Sequence, residues 1–185
     1  MIKLIFLIIL VINLYSSAHA SIKEKILYNF EKINNLSFNF KQTIDGKIET
    51  GNCTIKYPKK IYCNYNYKNK KILVSNGKSL VIKSNRNKQY YRYNLENTPL
   101  NLILDKELLI FNIKKLEGKL INNKYYNFQL NHENNIINIF FDSKNYNLIG
   151  WQTEDIYQNL VVTFIYDIKI NKKINDKIFI LPKLH

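Results

Sequence analysis

Apolar and polar residues alternate along most of this chain, and short turn sequences interrupt the alternation. Leu36, Phe38 and Phe40 are separated by polar residues, which is the pattern of a strand with one apolar face. Asp45-Gly46 and Asn76-Gly77 are typical hairpin turns, and we assign Asn76-Gly77 to type I′. An antiparallel β structure is therefore the strongest constraint on the fold.

Further strands are predicted on both sides of a helical segment. After the first strand, Leu36 to Gln42, we predict one that ends at Tyr57 and then Lys60–Tyr65, Lys71–Ser75, Ser79–Lys83, Gln89–Tyr93, Tyr125–Leu130, Ile136–Phe141, Leu148–Thr153 and Leu160–Ile168. Short connections between neighbours indicate an antiparallel meander. A sheet of this many strands should curl, so we predict one large curved sheet with its helices on the concave side.

Two helices are predicted. Ser21 and Glu24 form a capping-box pattern, and the stripe that follows is assigned to the core: Ile22, Ile26, Leu27, Phe30 and Ile33. Thr98 followed by Pro99 indicates the start of a short apolar helix that ends near Asp105. The stretch from Lys106 to Asn123 shows no clear pattern. A last apolar piece, Ile178 to Leu181, ends at Pro182.

The first twenty residues have the features of an export signal peptide. Lys3 precedes an apolar run from Leu4 to Leu14, and Ala18-His19-Ala20 supplies small residues for cleavage after Ala20. We therefore divide the chain into a signal peptide, 1–20, and a single domain, 21–185. The residue directly after the expected cut is Ser21 and not a cysteine, so we expect no lipid anchor. The alternative is an uncleaved N-terminal membrane anchor.

The net charge of +14 does not indicate nucleic-acid binding. Nearly all the cations are Lys, they are spread along the chain, and Arg is present only at Arg86 and Arg92. Phosphate recognition favours Arg forks and clustered basic stripes. We expect no nucleic-acid partner, although a cationic surface favours acidic partners or anionic headgroups.

Catalytic and metal-binding patterns are lacking in the sequence. His132 and His185 have no recognisable nucleophile beside them, and five glycines form no phosphate-binding loop. Glu154 and Asp155 should point to opposite faces of a strand and are assigned to a solvated strand end. We therefore expect a binding protein, with no metal and no cofactor. The alternatives are an exported enzyme whose site is assembled in space and an envelope interaction module with a filled core.

Cys53 and Cys63 lie five residues on either side of Pro58. In a hairpin centred on that turn they would be directly opposed on one face, at a separation that a disulfide can bridge. We predict a structural disulfide, since an exported protein permits oxidation. The alternative is two free cysteines that act as small buried hydrophobic residues.

Five segments together resemble the LolA family, the periplasmic carriers of outer-membrane lipoproteins. In chain order they are Leu36–Gln42, Gly51–Pro58, Ile72–Leu80, Asn97–Leu100 and Phe179–Pro182. The resemblance implies a mainly β fold with α: a half-open antiparallel β-barrel whose helices form a lid over an apolar cavity. That cavity would hold the acyl chains of a lipoprotein.

The resemblance also implies partners and a location. The partners would be acylated lipoproteins, an inner-membrane lipoprotein-releasing ABC transporter and an outer-membrane lipoprotein acceptor. The protein would be a periplasmic, monomeric carrier without enzyme activity.

Strand parity and the resemblance together select the candidate site residues. Those expected to face the cavity are Leu36, Phe38, Phe40, Ile55, Tyr57, Ile61 and Tyr65, and those expected on the apolar face of the lid are Leu100, Ile103 and Leu104. Tyr57 occupies the position where the family typically has an Arg that hydrogen-bonds the lid. A Tyr can donate one hydrogen bond there but carries no charge.

Overall fold

Eleven antiparallel strands form one sheet in the part of the chain that the structure describes. This structure is a computed structural model, and it describes residues 21–66, 71–84, 88–132, 135–155 and 158–184. The predicted signal peptide, Arg86 and His185 lie outside the described residues. The strands are β1 Asn35–Ile44, β2 Lys47–Lys56, β3 Lys60–Tyr65, β4 Lys71–Asn76, β5 Ser79–Ser84, β6 Gln89–Asn94, β7 Lys119–Ile121, β8 Tyr125–His132, β9 Asn135–Asp142, β10 Leu148–Glu154 and β11 Leu160–Ile170.

Two meanders meet at the centre of this sheet. The strand order is β6-β5-β4-β3-β2-β1-β11-β10-β9-β8-β7, so the first and last strands of the chain pair with each other. The described sheet is not closed, and β6 and β7 form its two edges. The predicted fold class, a mainly β chain with a curved antiparallel sheet and a few helices, is confirmed.

The first helix, α1, covers Ile22–Glu31 and begins as predicted. The Ser21 Oγ accepts a hydrogen bond from the Glu24 backbone N–H at 3.2 Å, and the Glu24 carboxylate accepts one from the Ser21 N–H at 2.7 Å. The capping box is therefore confirmed. Four members of the predicted stripe are buried, whereas Ile22 at the start of the helix is 41% exposed.

Two further helices follow β6 and the short 3-10 helix Leu95–Asn97. Helix α2 covers Leu100–Leu104, and α3 covers Lys106–Lys114. Asp105 separates them and caps α3, because its carboxylate accepts a hydrogen bond from the Leu108 N–H at 3.1 Å. The stretch without a clear sequence pattern therefore contains α3 and β7. Another 3-10 helix, Asp176–Phe179, follows β11.

The two predicted hairpin turns differ in type. Asp45 and Gly46 have φ values of 46° and 72°, as a type I′ turn requires. Between β4 and β5 the loop is Gly77-Lys78, and of these two residues only Gly77 has positive φ, 100°. This pattern corresponds to type II′, so the hairpin is confirmed and the assignment of type I′ is wrong. The pairing of Ser75 with Leu80 places Gly77, not Asn76, at the first central position.

The inner face of the sheet and the helices share one apolar core. Ile26 and Phe30 of α1 and Leu109 and Ile113 of α3 are buried in the same cluster as the inner side chains of the strands. No helix of the described segments is long and apolar enough to cross a membrane.

Candidate functional site: an apolar cavity in the open barrel

A cavity of about 800 Å³ lies on the inner side of the sheet. Its volume falls within the range of about 300–1,000 Å³ that is usual for ligand sites. Residues of β1 to β6, β10 and β11 line it, together with Thr98, Pro99 and Leu100 at the start of α2. The cavity therefore lies between the curved sheet and the lid segment that sequence analysis predicted.

One row of paired residues crosses the cavity wall from β2 to β6. In register, Cys53 faces Cys63, Cys63 faces Leu73, Leu73 faces Ile82, and Ile82 faces Tyr91. All five side chains line the cavity. Leu73 and Ile82 were absent from the predicted site, although continuing the strand parity from Cys63 across the next hairpin identifies both.

A disulfide joins the first two residues of this row. Cys53 and Cys63 are bonded, with an S–S distance of 1.98 Å and a Cα–Cα distance of 4.1 Å. The bond links β2 to β3 between directly opposed residues. It therefore holds one part of the cavity wall in a fixed register.

Aromatic side chains form another part of the wall. The rings of Phe40 and Tyr65 meet edge to face with centroids 5.0 Å apart, and Trp151 lies on the β10 side. Gly51 of β2 lies directly beneath the Phe40 ring, and a Cβ at that position would lie 2.8 Å from the ring. Gly51 therefore allows the Phe40 ring to pack closely against the strand.

A polar network extends along one side of the cavity. Lys71 Nζ lies 2.7 and 2.9 Å from the two carboxylate oxygens of Glu49 and 3.9 Å from the centroid of the Tyr65 ring. The Gln42 amide donates to Glu49 at 3.2 Å and accepts from the Thr163 hydroxyl at 3.2 Å. Burial raises the pKa of the Tyr65 hydroxyl, and the neighbouring Glu49 charge raises it further. Apart from Tyr65, these residues were missed because a polar side chain on an inner position carries no sequence signal of its own.

Four of the ten predicted lipid-binding residues line the cavity: Phe40, Ile61, Tyr65 and Leu100. Five of the other six belong to the buried core cluster, Leu36, Phe38, Ile55, Ile103 and Leu104, and Tyr57 is partly buried and packs against that cluster. Along β1 the lining begins at Phe40, whereas Leu36 and Phe38 are buried in the same cluster as α1. The alternation along the strands predicted which side chains lie on the inner face of the sheet. It could not predict how much of each strand the helices cover.

Tyr57 does not act as a hydrogen-bonded latch in this structure. Its hydroxyl is buried and has no hydrogen-bond partner among the described residues, and its ring packs edge to face on Phe30 at 5.8 Å. Lys59, two residues later, makes the contacts with the lid instead. Its N–H donates to the Leu104 carbonyl at 2.8 Å, and its Nζ lies 3.3 Å from the Asp105 carboxylate.

The adjacent carboxylates Glu154 and Asp155 both line the cavity, in contrast to the predicted opposite faces. Strand β10 ends at Glu154, so the alternation of side chains does not extend to Asp155. The Asp155 carboxylate accepts hydrogen bonds from the Asn159 N–H and side-chain amide at 2.9 and 3.0 Å. Within the described ranges, no group of three or more His, Cys, Asp or Glu side chains could hold a metal ion.

The chain matches the sequence model of a known protein family. The sequence model of the family described as "Outer membrane lipoprotein carrier protein LolA" matches residues 31–181. This match includes the whole sheet and the cavity lining. No curated protein sequence matches the chain.

Solved structures resemble the chain in fold at low sequence identity. An uncharacterized conserved protein from Thermus thermophilus has a TM-score of 0.51 and 6% identity, with 88% of this chain and 93% of that chain covered. A putative outer membrane lipoprotein-sorting protein domain from Vibrio parahaemolyticus has a TM-score of 0.50 and 8% identity, with 86% and 94% covered. A LolA superfamily protein from Nitrosomonas europaea has a TM-score of 0.43 and 12% identity, with 86% and 98% covered.

Proposed function

The chain belongs to the LolA family, and on that basis we propose that it is a periplasmic carrier that binds the acyl chains of lipoproteins in its cavity. The cargo would come from an inner-membrane lipoprotein-releasing ABC transporter and would pass to an acceptor at the outer membrane. Membership of the family by itself supports a lipid- or lipoprotein-binding module of the cell envelope. The more specific role, a carrier of lipoproteins, is supported by the chemistry of the cavity.

The observation that carries this proposal is an apolar cavity inside a sheet that is not closed. Its wall contains apolar side chains from several strands and from α2, among them Phe40, Leu73 and Leu100. Each methylene removed from water contributes about 0.8 kcal/mol. An acyl chain therefore needs such a shield to cross an aqueous compartment.

The polar network on one side of the cavity suits a carrier that must release its cargo. Gln42, Glu49, Lys71 and Thr163 are hydrogen-bonded to one another. Because these groups satisfy each other, the cavity can be empty without leaving them unpaired. They also limit the apolar area that a bound chain covers, which keeps binding from becoming too tight for transfer.

Binding of an acylated probe tests the proposal directly. Leu100 lines the cavity, so Leu100→Asp should reduce the affinity for a synthetic diacylated lipopeptide by about tenfold or more. Leu120, which is 44% exposed on the edge strand β7, is the matched control. Leu120→Asp introduces the same charge and should leave the affinity unchanged.

Two outcomes would contradict the proposal. If the wild-type protein does not bind the lipopeptide, the protein is not a lipoprotein carrier. If Leu100→Asp is folded by circular dichroism and binds normally, the cavity is not the binding site.

In cells, depletion of the protein should leave lipoproteins at the inner membrane.

A further inference from the structure

Strand β6 forms one edge of the described sheet and lies beside the cavity. It pairs with β5 over six residues and with no other strand of the described sheet. The backbone of Tyr90, Tyr91 and Arg92 makes no hydrogen bond to a described backbone group outside the sheet. An edge of this kind presents main-chain donors and acceptors to any extended peptide that reaches it.

This edge is continuous with the proposed binding site. Gln89, Tyr91 and Tyr93 of β6 line the cavity. A polypeptide anchored by acyl chains in that cavity can leave it along β6. The opposite edge, β7, has three residues, and none of them lines the cavity.

The side chains on the inner face of β6 provide a platform for an added strand. The rings of Tyr91 and Tyr93 are stacked, with centroids 6.5 Å apart and an interplanar angle of 11°. Tyr91 is 38% exposed. Aromatic residues at alternate positions are good cross-strand partners for side chains of a neighbouring strand.

We propose that this edge binds, as a twelfth strand, the extended polypeptide that directly follows the acylated cysteine of a lipoprotein. This inference rests on the proposed function. The acyl anchor raises the effective concentration of the following segment to the millimolar range. Main-chain hydrogen bonds therefore suffice without a specific sequence, which suits a carrier of many cargoes.

Four diacylated probes test the inference. The first ends at the acylated cysteine, and the second adds a linker of six Ser and Thr residues. The third and fourth carry the same linker with N-methyl groups at its even or its odd positions. An added strand donates only alternate N–H groups to its neighbour. One methylated probe should therefore bind as tightly as the probe with the unmethylated linker, and the other should bind more weakly.

We expect the linker to increase affinity about 10- to 100-fold, and we expect one methylated set to abolish this gain. Tyr91→Ala should reduce the gain severalfold, whereas Tyr166→Ala should not. Tyr166 is a matched control because it is 48% exposed on β11 at the centre of the sheet.

The outcomes separate this inference from the proposed function. If the first probe binds and the linker adds nothing, or if both methylated sets behave alike, strand addition is refuted and the carrier function stands. If no probe binds, the proposed function and this inference fail together.

Discussion

The ion pair between Lys59 and Asp105 should hold the lid segment over the cavity. Lys59 lies in the turn between β2 and β3, and Asp105 lies between α2 and α3. Their charged groups are 3.3 Å apart, and the two side chains are 27% and 22% exposed. A pair at this partly buried position contributes about 1 kcal/mol, which corresponds to a change of roughly fivefold in the equilibrium for lid opening.

Two substitutions of Asp105 separate the ion pair from the helix cap. Asp105→Asn removes the charge but keeps an oxygen that accepts from the Leu108 N–H, so it should increase lid opening about fivefold. Asp105→Ala also removes the cap of α3 and should destabilise that helix by about 1 kcal/mol more. Hydrogen exchange of the α2 amides measures opening, and the release rate of a bound fluorescent fatty acid measures its consequence.

The pair between Lys114 and Glu31 is the matched control. It joins α3 to α1 at 3.6 Å, but its side chains are 58% and 49% exposed. Glu31→Gln should therefore have almost no effect on either measurement. If Asp105→Asn leaves exchange and release at wild-type values, closure depends on apolar packing and on the backbone contact from Lys59 to Leu104, and the reasoning is refuted.

Three further predictions concern the cavity wall and the turn beside it. Tyr57→Phe removes a buried hydroxyl without a partner among the described residues, so the free energy of unfolding in urea should stay equal or rise by up to about 1 kcal/mol; a large decrease would indicate an unrecognised hydrogen bond. Replacing Cys53 and Cys63, ten residues apart, with Ser should lower that free energy by about 2.7 kcal/mol, and the denatured, non-reduced wild type should show no free thiol at these positions. The pKa of the Tyr65 hydroxyl is higher in the folded protein than in the unfolded chain. The stability that depends on the protonated hydroxyl is therefore complete below the pKa of the unfolded chain and is lost as the pH rises above that value. Stability should therefore fall more steeply above about pH 10 in the wild type than in Tyr65→Phe, and identical slopes would contradict the burial of this hydroxyl.

Local sequence patterns predicted most of the helices and strands of this protein, with α3 and β7 as exceptions. The capping box at Ser21 begins α1, and alternation with a period of two places Phe40, Ile61 and Tyr65 on the inner face. The spacing of Cys53 and Cys63 around Pro58 gives their direct opposition, because a hairpin fixes register through its turn. These signals are short-range, so the residues that carry them are close together in the chain.

Only the tertiary structure decided where the packed core ends and the cavity begins. Leu36 and Phe40 have the same parity on β1, yet Leu36 belongs only to the core cluster whereas Phe40 also lines the cavity. That Lys59 and not Tyr57 contacts the lid segment likewise depends on the positions of Leu104 and Asp105. Such contacts join residues more than forty positions apart, and their geometry depends on the curvature of the whole sheet and the docking of its helices. Local periodicity contains no information about either.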